Sequence, residues 1–286
     1  MDWGPLRRSD NVEDRRGMGR PVAIGGGVTL IALLVGWLFG VDPSQLLQLL
    51  SQGGTATPGS ATSSAPVQSS PAEDRQKEFV SAVLASTEDT WPSLLAARGI
   101  RYVPPKLVLF RGGVESACGY NESAAGPFYC PLDQRVFLDL SFFDELTRRF
   151  GAPGDFAEAY VVAHEVGHHV QKQLGIFDKT DAIRRRGDRA LSNQISVLQE
   201  LQADCFAGVW ANQANKQRPL LQPGDMEEGL RAAAAVGDDT LQKRTRGYVV
   251  PESFTHGSSQ QRVSWFSRGL QSGRLEACDT FATPNP

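Results

Sequence analysis

The sequence predicts an α+β fold, in which a mostly helical domain carries a small sheet at one edge. Two short segments with strand character lie close together, between one helical segment and a longer series of helical segments. The chain has 286 residues, of which 41% are hydrophobic, which is enough for one sizeable core with additional segments. The sequence contains no internal repeat.

An uncharged apolar run, residues 21–41, has the length of a membrane-spanning helix at about 1.5 Å per residue. A signal peptide is disfavoured by the long apolar part and the lack of a clear cleavage site. A buried core helix is disfavoured by the flanking arginines. We therefore predict a single-pass cell-membrane protein with residues 1–20 as a cytoplasmic tail and residues 21–41 as the transmembrane helix. Arginines ahead of the run favour this orientation: Arg7, Arg8, Arg15, Arg16 and Arg20.

Residues 42–71 are predicted to be a flexible linker. From Ser51 to Pro71 the chain has no charged or aromatic residue and is rich in Ser, Thr, Ala, Gly and Pro, so it cannot bury a core. The domain that follows, residues 72–286, would then be extracytoplasmic. The net charge of -3 and the lack of a basic stripe in the C-terminal two thirds give no indication of a nucleic-acid partner.

The domain is predicted to begin with a helix, because the apolar residues between Phe79 and Leu84 follow helical spacing. KLVLF, residues 106–110, has the composition of a short strand. QRVFLDL, residues 134–140, alternates between apolar and polar residues and is predicted to be a second strand.

The second half of the domain is predicted to be helical. One helix starts at Asp155, where Glu158 has capping-box spacing, and continues through VVAHEVGHHVQKQL to Gly175. A second helix runs from about Ser192 to Ala211, and a third follows PGDMEEGLRAAAAVG. The last helix begins at Ser258, which also has capping-box spacing.

The four cysteines are expected to form two disulfides, since an even count is typical of domains outside the cytoplasm. Three pairings are possible. We favour Cys118–Cys130, which closes a short loop, and therefore Cys205–Cys278. The alternative is four free, buried thiols, and the lack of C-x-x-C spacing argues against a thiolate zinc site.

Residues 161–170, VVAHEVGHHV, contain three of the four histidines of the chain. His164 and His168 are four residues apart, so both lie on one face of the predicted helix, and at this spacing two imidazoles can bind one tetrahedral metal ion. Glu165 is adjacent to the first histidine and is placed to act as general base toward a metal-activated water. His169 points about 100° away from His168 around the helix and is a poor ligand for the same ion.

The third ligand is predicted to be Glu200, in QELQADCFAGVW on the second helix. Asp204 follows four residues later on the same face, where its carboxylate can accept a hydrogen bond from a ligand histidine and fix its orientation. Arg262 either pairs with Asp204 or is an ordinary surface arginine. The alternatives are a chance H-E-x-x-H on a surface helix and a solvated Glu200.

HEVGHHVQ, ELQADCFAGVW and SFTHGSSQQRVSWF resemble the neutral zinc metallopeptidase (YpfJ-like) family, bacterial proteins with an N-terminal membrane anchor. GPFYCP and VFLDLSFF are also similar to that family. The resemblance covers roughly Lys77 to Phe281 and leaves out the linker and the first twenty residues. It implies a zincin-like domain with a gluzincin-type site, in which His164, His168 and Glu200 bind zinc and Glu165 is the base.

The resemblance also suggests a catalytic role for His256, in the loop before the last helix. In related zinc peptidases a similar histidine lies across the cleft and stabilises the tetrahedral intermediate. The alternative is a helix-cap or core histidine.

The predicted function is therefore a membrane-anchored zinc metalloendopeptidase that hydrolyses peptides or proteins. Zn²⁺ is the expected cofactor, because two imidazoles and one carboxylate suit a redox-inert Lewis acid. An extended substrate could add to the strand near Phe128–Cys130 or near Val136–Leu140. The alternatives are a membrane-tethered zinc-binding scaffold or latent protein without peptidase activity, and a hydrolase for a cell-wall amide. The presence of Glu165 and the lack of a cell-wall-binding repeat favour the peptidase.

Overall fold

The structure, a computed structural model, describes residues 1–17, 69–185 and 187–282. Residues 1–16 and the residues from 68 onward belong to one compact unit. The predicted transmembrane helix and most of the predicted linker lie outside the described residues. Within the described ranges, no helix is both long and apolar enough to cross a membrane.

The main sheet of the described chain has four strands in the order β1–β2–β6–β5. β1 (Val12–Asp14) pairs in parallel with β2 (Lys106–Phe110), and β2 pairs in parallel with β6 (Arg135–Asp139). β5 (Phe128–Cys130) is antiparallel to β6 and forms an edge of the sheet. The two segments that the sequence predicts to be strands, β2 and β6, are therefore the central strands.

The sheet is buried on both faces, because its side chains divide between two apolar clusters. Leu107 and Leu109 of β2 belong to the large core shared with the helices. Val108 and Phe110, on the opposite face, pack with Phe137 in a smaller cluster. Both central strands consequently show nearly continuous burial, which is usual for parallel strands.

A two-stranded hairpin, β3 (Gly113–Ser116) and β4 (Gly119–Glu122), follows β2. The Cys118–Cys130 disulfide links this hairpin to the edge strand β5. The second disulfide, Cys205–Cys278, fixes the C-terminal segment to a long helix, and both of its cysteines are fully buried. These are the two pairs that the sequence favours.

The remaining regular elements are helical, which agrees with the predicted α+β class. Two predicted helix starts have different outcomes. The capping box at Ser258 is present. The capping box predicted at Asp155 is wrong, because the N-cap is Gly154, which has no side chain to accept a hydrogen bond from the first turn. In chain order the helices are α1 (Pro71–Ala96), α2 (Ser141–Arg148), α3 (Asp155–Gln173), α4 (Ile176–Arg184), α5 (Arg189–Gln217), α6 (Asp225–Ala235), α7 (Asp238–Arg246) and α8 (Ser259–Ser272).

The first sixteen residues pack onto the domain. Beyond the pairing of β1, the Arg7 guanidinium lies 2.8 Å from a carboxylate oxygen of Glu88, whose side chain is 7% exposed. The Arg16 side chain is 1% exposed and lies 2.7 Å from Asp14. Two of the arginines that the sequence analysis assigned to membrane orientation therefore form ion pairs within the folded unit.

An acidic group at the start of α3 contacts the N-terminal ammonium group. The nitrogen of Met1 lies 2.6 Å from Asp155 and 3.2 Å from Asp225. Glu228 lies close to both carboxylates and accepts a hydrogen bond from the backbone of Phe156. These three carboxylates are close enough to hold a metal ion, but in this structure two of them, Asp155 and Asp225, pair with the ammonium group.

Candidate metal centre

The central feature of the site is a group of three side chains from α3 and α5. The Nε2 atom of His164 lies 3.2 Å from one carboxylate oxygen of Glu200, and the Nε2 atom of His168 lies 3.3 Å from the other. Their possible ligand atoms all lie within 4.8 Å of one another. The two helices that carry these residues can approach closely because Gly167 of α3 packs against the backbone of Ala203 of α5.

The outer nitrogen of each histidine has an acceptor. The Nδ1 atom of His164 lies 2.8 Å from Asp204, and the Nδ1 atom of His168 lies 2.9 Å from the amide oxygen of Gln171. With each Nδ1–H donating outward, both Nε2 atoms face Glu200 and can bind a metal ion once they are deprotonated. This arrangement, with two imidazole nitrogens, one carboxylate and outer hydrogen bonds that fix the tautomers, fits a Zn²⁺ site.

Asp204 connects the site to a buried arginine. Its two carboxylate oxygens accept hydrogen bonds from Arg262, at 2.8 and 2.9 Å, and one of them also accepts a 2.5 Å hydrogen bond from the hydroxyl of Tyr160. Burial would raise the pKa of Asp204, but Arg262 and His164 outweigh burial and lower it. Asp204 therefore remains an anion. Of the two alternatives for Arg262, the structure contains the pairing with Asp204.

The pKa of His164 depends strongly on the neighbouring carboxylates. Burial would lower this pKa, but Asp204 and Glu200 raise it to about 10. Burial would raise the pKa of the Glu200 carboxyl group, but the two histidines lower this pKa by more than burial raises it. A metal ion that binds here must displace a proton from the site, so metal affinity is expected to fall as the pH falls.

Glu165 is 8% exposed and lines the cleft beside the two histidines. Burial raises the pKa of its carboxyl group, the nearby histidines lower it, and the net change is upward. An elevated pKa suits a carboxylate that takes up a proton and later returns it near neutral pH.

His256 lies in the loop before α8 and lines the same cleft, with half of its side chain exposed. Its Nδ1 atom lies 3.2 Å from Asp238, and the hydrogen bond to that carboxylate raises the pKa of the imidazole. Asp238 also accepts backbone hydrogen bonds from Thr255, His256 and Gly257. Asp238 thus orients both the loop and the histidine.

Three residues that support the site were not predicted from the sequence: Tyr160, Gln171 and Asp238. Asp238 lies in VGDDT, where nothing distinguishes it from an ordinary helix start. Gln171 is fully buried, and its amide nitrogen donates to the backbone oxygen of Gln199 and to the side chain of Gln202. Its position three residues after His168 was a usable signal, because residues three apart on a helix are neighbours.

The third histidine of the motif, His169, points away from the metal group, as predicted, and has a different set of partners. It is fully buried, its Nε2 atom donates to the backbone oxygen of Val103 at 2.7 Å, and its Nδ1 atom lies 3.0 Å from the hydroxyl of Tyr129. Burial lowers the pKa of His169 to about 4. The neutral imidazole therefore accepts a hydrogen bond from Tyr129 and connects the edge strand β5 to α3.

The metal group lies at the bottom of a cleft with a volume of about 680 Å³. One wall contains the Cys118–Cys130 loop and the edge strand, through Pro127, Phe128 and Tyr129. His256 and Arg262 line the same cleft. The cleft is therefore lined both by residues of an edge strand and by positively charged side chains.

Comparison with known proteins agrees with this geometry. A model of the family described as putative neutral zinc metallopeptidase matches residues 1–281. The chain belongs to this family. Its cofactor is accordingly Zn²⁺, and at the level of the family it is a hydrolase that acts on peptides or proteins. Because the match starts at residue 1, the expectation that the first twenty residues lie outside the family was wrong.

Relatives of similar length support the assignment to this peptidase family. The chain is 48% identical to the uncharacterized protein YpfJ of Escherichia coli (strain K12) over 292 aligned positions, which cover 98% of the chain and 99% of YpfJ. It is 44% identical to the uncharacterized protein Rv2575 of Mycobacterium tuberculosis (strain H37Rv) over 207 positions, which cover 69% of the chain and 68% of that protein. No solved structure matches.

Proposed function

We propose that the protein is a zinc-dependent endopeptidase in which His164, His168 and Glu200 bind the metal and Glu165 is the general base. The observation that carries this proposal is the convergence of two Nε2 atoms and one carboxylate within 4.8 Å, beside a buried glutamate in an open cleft. Zinc bound there would polarise the scissile carbonyl and make water acidic enough to be activated near neutral pH.

The chain's own residues then move the protons. Glu165 accepts a proton from the attacking water and passes it to the leaving amine. His256, protonated through its contact with Asp238, donates from Nε2 to the negative charge that develops on the carbonyl oxygen. Arg262 keeps Asp204 ionised, and through Asp204 it holds His164 in the tautomer that binds metal.

The substrate is proposed to bind as an additional strand along β5. Among the described residues, β5 pairs with β6 on one side and with no strand on the other, and Phe128 and Tyr129 line the cleft. The hydrogen bond between the Tyr129 hydroxyl and His169 fixes the position of β5 relative to α3. Backbone pairing to an edge strand binds extended peptides without demanding one sequence.

The function is tested with the full chain, Glu165→Gln and His164→Ala, by elemental analysis for zinc and by cleavage of casein. The proposal expects about one zinc per chain in the unchanged protein and in Glu165→Gln, much less in His164→Ala, and cleavage by the unchanged protein alone. One zinc without cleavage would favour the rival assignment, a zinc-binding scaffold or latent protein. Absence of zinc would contradict the metal centre itself.

We also propose that the protein is attached to the membrane through residues 21–41, with the first sixteen residues on the same side as the catalytic domain. A single crossing would separate β1 from β2, and Arg7 from Glu88, across the bilayer, which is incompatible with their pairing. Two disulfides support an oxidising, extracytoplasmic location for the folded unit.

The location is tested with single cysteines at two exposed positions, Asp10→Cys and Arg231→Cys, in intact cells whose outer surface is accessible. A membrane-impermeant maleimide is expected to label both positions equally. Labelling of position 231 without position 10 would instead support a cytoplasmic tail and a single crossing. Labelling of neither position before lysis would place the catalytic domain in the cytoplasm.

A further inference from the structure

We propose that Arg184 determines specificity, by selecting substrates with an aspartate or glutamate on the N-terminal side of the bond that is cut. The inference rests on the proposed peptidase function and adds a substrate class to it. Arg184 is the last residue of α4, and its side chain, 28% exposed, lines the same cleft as His168 and Glu200.

The guanidinium of Arg184 is held in place mainly by neutral groups. One of its terminal nitrogens donates to Ser196 at 2.9 Å and to the side-chain oxygen of Gln199 at 2.6 Å. Within the described part of the chain, the carboxylate in ion-pair range is Asp181, at 4.0 Å, which is beyond hydrogen-bonding distance. A substrate carboxylate would therefore meet a cation that is already oriented and lacks a closely bound anion.

The packing of α3 against α5 fixes the position of Arg184 along the cleft. The two helices pack antiparallel. His168 faces Glu200, and Gln171, farther along α3, donates a hydrogen bond to the backbone of Gln199, which is earlier in α5. Ser196 is one turn before Glu200, so it lies beyond His168 toward the C-terminal end of α3. At about 1.5 Å per residue, Ser196, which accepts a hydrogen bond from Arg184, is roughly 6 Å along α5 from Glu200.

The edge strand gives the direction of the substrate. β5 follows Gly126, which packs against Phe142, and Phe142 packs against Phe150, just before α3 begins in the sequence. Tyr129, near the end of β5, contacts His169, close to the end of α3. β5 and α3 therefore run in the same direction. A peptide that pairs antiparallel to β5, the slightly more stable arrangement, has its N-terminal residues at the Arg184 end of the cleft.

The spacing along α5 and the direction of β5 together indicate which substrate residue Arg184 contacts. An extended peptide advances about 3.3–3.4 Å per residue, so roughly 6 Å corresponds to about two residues. The acidic side chain is therefore expected two or three residues before the scissile bond. The C-terminal half of the substrate lies at the other end of the cleft, near Phe142 and Phe150.

The experiment compares peptides that differ by Asp, Asn or Lys at one position, using the full chain, Arg184→Gln and Arg184→Glu. Arg185→Gln is the matched control, because Arg185 is the neighbouring arginine, is exposed and contacts the backbone of Asp181. The expected result is a kcat/KM roughly tenfold higher for Asp than for Asn in the unchanged protein and in Arg185→Gln. Arg184→Gln should abolish this preference, and Arg184→Glu should reverse it toward Lys.

The outcomes separate this inference from the proposed function. Equal cleavage of the Asp and Asn peptides at every position before the bond, or a preference that survives in Arg184→Gln, would overturn it. If neither the unchanged protein nor any variant cleaves any peptide, the proposed function fails. Peptide binding to zinc-loaded Glu165→Gln then tests whether Arg184 binds a substrate carboxylate. Tighter binding of the Asp peptide that is lost in Glu165→Gln/Arg184→Gln would support the carboxylate site, and equal binding would overturn it.

Discussion

Glu158, in the first turns of α3, should make the stability of the protein fall as the pH rises. Its carboxyl group is partly buried beside Asp155, Asp144 and Glu228, and burial followed by these charges raises its pKa from 4.5 to about 7. Since the folded state binds the proton more tightly than the unfolded chain, the stabilising effect is full below pH 4.5 and is lost as the pH rises through 7. Glu158→Gln, which is neutral at every pH, removes this dependence.

The size of the effect follows from the pKa change. A rise of the pKa from 4.5 to about 7, at about 1.4 kcal/mol per unit of pH, gives an upper limit of about 3.5 kcal/mol, and partial exposure of the side chain reduces it. We therefore expect Glu158→Gln to be more stable than the unchanged protein. The difference in unfolding free energy should be less than about 1 kcal/mol at pH 5 and about 1–3 kcal/mol at pH 8.

The assay is urea unfolding at pH 5, 6, 7 and 8, at constant zinc concentration, with the exposed Glu227→Gln as the matched control. Comparison between variants at each pH cancels the pH dependence of the metal site. A difference for Glu158→Gln that stays constant from pH 5 to pH 8, or that shrinks as the pH rises, would refute this reasoning.

Three further perturbations probe the packing around the site. Gly167→Ala would place a methyl group 2.9 Å from the backbone oxygen of Ala203, so α3 and α5 must separate. Zinc affinity, measured by chelator titration, should therefore fall roughly tenfold, and an unchanged affinity would contradict this prediction. Serine at both Cys205 and Cys278, which close a separation of 73 residues, should lower the unfolding free energy by about 4 kcal/mol. Tyr129→Phe removes the hydrogen bond to His169, so it should raise KM for extended peptides several-fold and accelerate hydrogen exchange in β5, with zinc content unchanged. Normal hydrogen exchange in β5 would show that His169 does not hold this strand in place.

The metal group was predictable from the sequence because helix geometry is rigid. Spacing of four residues places His164 and His168 on one face without any knowledge of the fold. The same rule places Asp204 one turn from Glu200 on the second helix. Bringing the two helices together requires tertiary packing, which the small residues Gly167 and Ala203 allow but do not specify.

The contacts that the sequence analysis missed are non-local. β1 is three residues long and has no apolar alternation, so neither its existence nor its pairing with β2 can be inferred from local pattern. Arg7 is 81 residues from its partner Glu88, and a cluster of arginines ahead of an apolar run resembles an orientation signal. Asp238 acts through His256, which it reaches because of the fold and not because of spacing along one helix.

β1 and β2 pair within one folded unit, although residues 18–68 lie between them in the sequence. A single protease cut anywhere in that segment would not shed the catalytic domain. It would yield a two-chain protein, held together by one strand ladder, the ion pairs of Arg7 and Arg16, and the salt bridges of Met1. The cut would convert an intramolecular contact into a bimolecular one, so retention of the short chain would become dependent on concentration.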